Sequence, residues 1–240
     1  MSFRWPAFET SSELSHGCVC GLALVLSAFV LAGQLRAQES VSFLAPDGYR
    51  LQADQYGEGE RAVVLVHGGR FDRKSWKDQA DVLAKAGFRV LATDFRGYGQ
   101  SQPGSKEEDW KHYPDVLAAV RYLHARGAKS VSIVGASMGG DAAGDAAVQA
   151  NAGEIDRIVF LGAEGGDAPG RLKGRKLFIV SRDDRSGEGL RLPGITESYR
   201  RAPHPKKLVI LDGSAHAQFT FETDQGSRLM QEVLQFLSEP

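Results

Sequence analysis

The chain has 240 residues, with 29 basic and 30 acidic side chains, a formal net charge of −1, 42% hydrophobic residues and 25% charged residues. That balance excludes a disordered chain and provides no long-range charge for nucleic-acid binding. The length suits one domain with a sizeable core, or at most two small ones. Two oddities stand out: 28 glycines, about 12% against a usual ~7%, and only two cysteines.

Both cysteines lie at the N-terminus. Cys18 and Cys20 fall within an uncharged, mostly apolar run of 17 residues, Gly17 to Gly33, followed by Gln34-Leu35-Arg36-Ala37. Such a run, ending in small and polar residues, reads as an export signal with Ala37 the last residue removed, which makes the protein periplasmic or secreted. Leu35 stands where such sites usually hold a small side chain, and Glu9 and Glu13 accompany Arg4 ahead of the run. Two other readings stay open. Residues 17–33 could be an uncleaved anchor, since 17 residues is near the lower limit for spanning a bilayer, or they could be a buried core helix. A membrane is a partner only in the anchor reading. With cleavage, residues 38–240 form the domain: 203 residues without a cysteine. That excludes a disulfide scaffold, a thiolate enzyme and a cysteine-ligated metal protein.

From Val41 onward, short apolar runs alternate with helical patterns. Val41–Leu44 and Tyr49–Gln55 flank Pro46-Asp47-Gly48 and predict a hairpin. Six more runs follow: Ala62–Val66, Arg89–Thr93, Ser130–Val134, Ile158–Leu161, Leu177–Val180 and Leu208–Leu211. Their continuous apolarity predicts strands buried on both faces, as in a parallel sheet. Helices are expected over Ser75–Ala86, Trp110–Arg126, the segment after Ser137, and from about Thr223 to the end; the first two stop at Gly87 and Gly127. The alternation predicts one α/β domain with a mainly parallel, eight-stranded sheet flanked by helices.

Four strand ends carry chemistry, and functional groups collect at strand ends in an open parallel sheet. Gly135-Ala136-Ser137-Met138-Gly139 lies between a strand and a helix. In this G-x-S-x-G setting a strained turn exposes the serine oxygen, and bulk two residues to either side would clash. Ser137 is therefore the candidate nucleophile; a plain glycine-rich turn is the alternative. Leu65-Val66-His67-Gly68-Gly69 ends another strand. An oxyanion needs two preorganised donors, here assigned to the backbone N–H groups of Met138 and Gly69. His67 is read as packing or orienting that loop. Ser181-Arg182-Asp183-Asp184 offers the carboxylate that a histidine base needs for its tautomer and charge. Asp184 is favoured, with Asp183 the alternative acid. His216 follows the last strand and completes the order Ser…Asp…His. His112 and His124 are expected on the surface.

With these motifs, and with Asp94-Phe95-Arg96-Gly97-Tyr98-Gly99-Gln100-Ser101, the chain resembles the α/β-hydrolase-fold family from about Val41 to Leu237. The Asp94–Ser101 stretch resembles the family's D-x-R-G-x-G-x-S segment, which shapes the loop beside the oxyanion hole. The resemblance implies Ser137 as nucleophile, His216 as base and Asp184 as orienting acid, in a serine hydrolase acting on an ester. Ser181 stands where members often have glycine. A peptidase, thioesterase or acyltransferase on the same triad stays open, as does a non-catalytic binding protein of this fold. The expected partner is a small ester or acyl compound. No metal cluster or nucleotide fingerprint appears, so no cofactor is expected.

Only 14 residues, Gly162 to Arg175, separate two strands where many relatives insert a lid. No large cap domain is expected, only a loop and one short helix over Arg185–Arg201, leaving an open site. Arg70, Phe71, Arg73, Lys74 and Trp76 follow the oxyanion loop. They fit either contact with an anionic or aromatic substrate or a solvated loop with Trp76 packed inward.

Overall fold

A computed structural model of the protein describes residues 38–104 and 112–240. The export or anchor segment, both cysteines and the expected start of one helix at Trp110 lie outside the described residues. Among the described residues, no helix is long and apolar enough to cross a membrane.

The strands are β1 (Glu39–Leu44), β2 (Arg50–Tyr56), β3 (Arg61–Val66), β4 (Arg89–Thr93), β5 (Ser130–Ala136), β6 (Arg157–Leu161), β7 (Arg175–Ser181), β8 (Arg185–Ser186), β9 (Gly189–Leu190) and β10 (Lys206–Leu211). Eight of them form one sheet in the order β1-β2-β4-β3-β5-β6-β7-β10, and β8 pairs with β9 in a separate small hairpin. β1–β2 and β2–β4 are antiparallel; from β4 to β10 every neighbouring pair is parallel. The antiparallel edge follows from the Pro46-Asp47-Gly48 turn. The parallel remainder follows from strands apolar on both faces, which require helices above and below.

Those helices are α1 (Lys77–Lys85), α2 (Tyr113–Ala125), α3 (Met138–Gln149), α4 (Leu192–Arg201) and α5 (Gly226–Ser238). Side chains alternate across each strand, so Val64 and Val66 of β3 face one layer and Val63 and Leu65 the other. The first layer holds Val116, Val120 and Leu123 of α2, the alanines of α3, and Ile195 of α4. The second holds Ala80 and Leu83 of α1 with Leu229, Val233 and Phe236 of α5. The result is a helix–sheet–helix sandwich with the sheet at its centre.

Sheet order also fixes where a crevice forms. From β3 the chain first adds β4 on one side, then returns to place β5 on the other. Loops leaving the C-terminal ends of β3 and β5 therefore diverge, and the gap between them is the expected binding position of an open α/β sheet. Between β6 and β7 there is only a loop with a 3-10 turn at Pro169–Arg171. Between β7 and β10 lie the β8–β9 hairpin and α4, so no multi-helix lid exists among the described residues.

Candidate active site

The loop ends converge on Ser137. This residue links β5 to α3 at φ 50°, ψ −121°, a backbone state rare for a side-chain-bearing residue. The strain persists because the neighbours leave no alternative. A Cβ at Gly135 would lie 2.5 Å from the Gly139 carbonyl oxygen, and one at Gly139 would lie 2.5 Å from that of Val66. The two glycines thus let α3 start directly against β3, and the serine is pushed up into the crevice.

His216 Nε2 lies 2.8 Å from Ser137 Oγ, and His216 Nδ1 lies 2.8 Å from Asp184 Oδ2. The structure brings these three predicted residues together from the ends of β5, β7 and β10. Asp184 is fully buried. Its second oxygen, Oδ1, faces Arg191 Nε at 3.6 Å, and its carbonyl accepts from the Arg191 amide at 2.9 Å. Asp183, the alternative acid, is exposed; its amide donates to the Gly213 carbonyl at 2.9 Å, and no contact joins its carboxylate to His216. Ser181, the departure from the family pattern, binds the base loop instead, donating from Oγ to the Ala215 carbonyl at 2.7 Å.

Gly69 and Met138 both border the cavity in front of Ser137, which measures about 540 Å³. The Met138 amide is the first of α3 and has no acceptor within the helix. The Gly68 amide is engaged by Gln218 Oε1 at 2.8 Å, so of the two loop glycines it is Gly69 whose N–H is left for a ligand. Gln218 was not singled out from the sequence. It is buried two residues beyond His216 and also donates from Nε2 to Ser75 Oγ at 2.8 Å. One side chain thus ties the His216 loop to the Gly68–Gly69 loop and to the 3-10 turn at Arg73–Trp76.

His67 is buried and does not face Ser137. Its Nε2 accepts from the Phe95 amide at 3.3 Å, which leaves Nδ1 to donate to the Gly68 carbonyl at 2.9 Å. Burial lowers its pKa and favours this neutral form. The Asp94–Ser101 segment is a scaffold. Asp94 accepts from the Gln100 amide at 2.9 Å and pairs with the Arg73 guanidinium, and Arg96 is bound by Asp115 at 2.6 Å and by Asp47 at 2.7 Å.

Three expectations are corrected. Arg73 does not reach the cavity: it is buried, held by Asp94 and by Asp54 at 3.1 Å. Trp76 packs inward, as the solvated-loop reading has it, and exposed Lys74 does not line the cavity, so only Arg70 and Phe71 of that group do. His112 is buried against Phe95, ring centroids 4.7 Å apart, and His124 is half-buried between the carbonyls of Ala128 and Glu154. His112, just ahead of α2, is drawn inside by Phe95 of the loop after β4, and His124, near the other end of α2, is kept only partly exposed by the carbonyls that face its ring. Among the described residues no group of three potential metal ligands comes together.

A strained serine turn at the switch point of a mainly parallel sheet, faced by a histidine with a buried aspartate behind it, is the layout of an α/β hydrolase. The matching family model, described as alpha/beta hydrolase fold, spans residues 61–239, and the chain belongs to that family. A non-heme haloperoxidase of Rhodococcus erythropolis is 32% identical over 120 residues, covering 50% of this chain and 42% of the relative. The bifunctional epoxide hydrolase 2 of Sus scrofa is 36% identical over 97 residues, covering 40% of this chain and 17% of the relative. The chain thus spans less than half the length of these curated relatives. Among solved structures, an esterase from Exiguobacterium antarcticum superposes with a TM-score of 0.70 at 14% identity, over 84% of this chain and 100% of that one. At that identity the likeness is one of fold.

Proposed function

We propose that the protein is a serine hydrolase that cleaves a small ester through an acyl-enzyme. The observation that carries this reading is the unbroken line from Asp184 through His216 to Ser137, with 2.8 Å at each step. A buried carboxylate is costly unless it is paired, and a mere binding pocket has no use for one behind a histidine. As a base partner it holds the imidazole with Nδ1 protonated and Nε2 aimed at the serine hydroxyl, and it stabilises the imidazolium that forms.

In the proposed reaction, His216 Nε2 takes the Ser137 proton as Oγ attacks the ester carbonyl. The Met138 and Gly69 amides meet the oxyanion; a donor lost from such a hole costs about 2.7–4 kcal/mol of barrier. The imidazolium protonates the departing alkoxide. Water, deprotonated by His216, then attacks the acyl carbon and frees the acid. Among the described residues the cavity is bounded by loops and the short β8–β9 hairpin and not by a cap, which suits a small, accessible substrate.

The test is labelling by a fluorophosphonate, which esterifies an activated serine, combined with turnover of short-chain p-nitrophenyl esters. Wild-type protein is expected to label stoichiometrically and to release nitrophenol in a burst. Ser137→Ala should do neither. Equal labelling of both proteins would remove Ser137 as the nucleophile.

A further inference from the structure

Three arginines border the cavity: Arg70 from the loop after β3, Arg185 from the β8–β9 hairpin and Arg191 from the start of α4. No aspartate or glutamate side chain lines it among the described residues. Arg191 is committed to Asp184 at 3.6 Å. Arg70 and Arg185 are different: both are exposed, and neither makes a side-chain hydrogen bond or ion pair among the described residues. Elsewhere Arg73, Arg96, Arg121, Arg157, Arg175, Arg182 and Arg200 all have carboxylate partners.

The whole chain carries a net charge of −1, so a cationic rim is a local arrangement and not the by-product of a basic protein. The nearby acids do not cancel it. Asp184 lies beneath the cavity, already faced by Arg191 and His216; Asp212 faces Arg182 at 3.7 Å; Asp183 and Glu188 are exposed but do not line the cavity. A cleft lined by one sign of charge focuses its field and concentrates the opposite ion. A guanidinium fork also matches the two oxygens of a carboxylate. In the same cavity lining, Phe71 and Phe219 pack with ring centroids 4.9 Å apart and offer an apolar wall for the body of a ligand.

We propose that Arg70 and Arg185 select a negatively charged substrate: a small ester bearing a free carboxylate a few atoms from the scissile bond. This rests on the serine-hydrolase reading above and names the substrate class for that site. The carboxylate is held at the rim while the ester carbonyl sits over Ser137.

The test uses three methyl esters of matched length, followed by titration of the released acid: monomethyl glutarate, methyl pentanoate, and methyl 4-(trimethylammonio)butanoate. The expected order of kcat/KM is anionic, neutral, cationic, with anionic over neutral at about tenfold in dilute buffer, as charge-assisted contacts at a partly solvated site allow. That ratio should shrink in 0.5 M salt, where screening falls to a few ångströms, roughly 3–5 Å. The double variant Arg70→Gln/Arg185→Gln should bring the ratio to about one. Removing two charges elsewhere, with Arg200→Gln/Arg228→Gln, should leave the ratio as in the wild type. A wild-type ratio of one or less, or a ratio indifferent to the rim substitutions, overturns the proposal. If Ser137 labels with fluorophosphonate and the three esters turn over alike, only the charge selection falls. If Ser137 does not label and no ester is cleaved, the hydrolase reading itself falls.

Discussion

Gln218→Met tests how the oxyanion loop is held. The substitution keeps the length of the side chain and removes both polar ends. Gln218 Oε1 is the acceptor for the Gly68 amide at 2.8 Å, and its Nε2 the donor to Ser75 Oγ at 2.8 Å. Gly68 is buried, so its N–H is left without a partner. An orphaned buried donor costs about 1–3 kcal/mol and the second hydrogen bond about 1 kcal/mol, for a total of about 2–4 kcal/mol. In a domain of this size each kcal/mol lowers Tm by about 2–4 °C, so a fall of about 4–16 °C is expected. On the proposed mechanism the catalytic consequence comes through Gly69, the next residue along. Losing an oxyanion donor outright costs about 2.7–4 kcal/mol of barrier. A loop that is loosened but not deleted should lose part of that, about ten- to a hundredfold in kcat, with KM little changed because the ground-state carbonyl makes less use of the donor. The assays are thermal melts and p-nitrophenyl acetate kinetics across pH. The plateau of kcat/KM should drop while His216 keeps its bond to Asp184. A lowered Tm with kcat within about twofold of wild type would reduce Gln218 to a structural staple. An unmoved Tm would mean that the two bonds contribute nothing.

Two further outcomes follow from burial. Asp184→Asn should lower kcat by about 10³–10⁴, since an amide in that place stabilises the wrong tautomer and no imidazolium, whereas exposed Asp183→Asn should stay within about twofold; the reverse result would reassign the acid. Tyr56 is buried, and burial, with Asp54 and Asp81 adding to it, pushes its pKa up to about 12. The unfolded chain ionises near pH 10, so this contribution to stability is complete below about pH 10 and is lost as pH rises from about 10 to about 12, by up to about 2.7 kcal/mol. Tyr56→Phe should flatten that alkaline loss in denaturant titrations at pH 8, 10 and 11.5. Parallel pH profiles for the two proteins would refute the assignment.

The sequence already shows the strands whose cause is local and hides what depends on distant partners. Of the eight expected strands, six lie within a longer observed one, Arg89–Thr93 coincides with β4, and Tyr49–Gln55 is offset by one residue from β2. β7, expected over Leu177–Val180, runs from Arg175 to Ser181, and β5 continues through Gly135 and Ala136. An apolar run marks the buried middle of a strand, but pairing continues into polar ends such as Lys176, opposite Ile158 and Lys206. The elbow was readable because its strain leaves a compositional trace: glycine is needed two residues to either side of Ser137. The β8–β9 hairpin left none, since two-residue strands around Gly187 have no apolar period to detect. Arg73 looked like a rim cation because Asp54 and Asp94, which hold it inside, are remote in sequence. Gln218 was invisible for the same reason: its partner Gly68 is 150 residues away.

The two arginines of the rim sit in segments that the sheet does not need. Arg70 lies beyond the last residue of β3, and Arg185 lies on a hairpin outside the eight-stranded sheet. Ser137, Asp184 and His216 instead occupy positions fixed by β5, β7 and β10, where a displaced strand would break the 2.8 Å contacts. The proposed chemistry and the proposed selectivity are therefore separable in this architecture. On the proposed function, substitution at the rim should alter which ester is favoured without touching the core layers of either face, whereas a side chain added at Gly139 would meet the Val66 carbonyl. The asymmetry follows from packing density. A close-packed interior transmits a shift of a few tenths of an ångström, while a solvated loop absorbs it. Changes of substrate preference should accordingly map to the loop after β3 and to the β8–β9 hairpin.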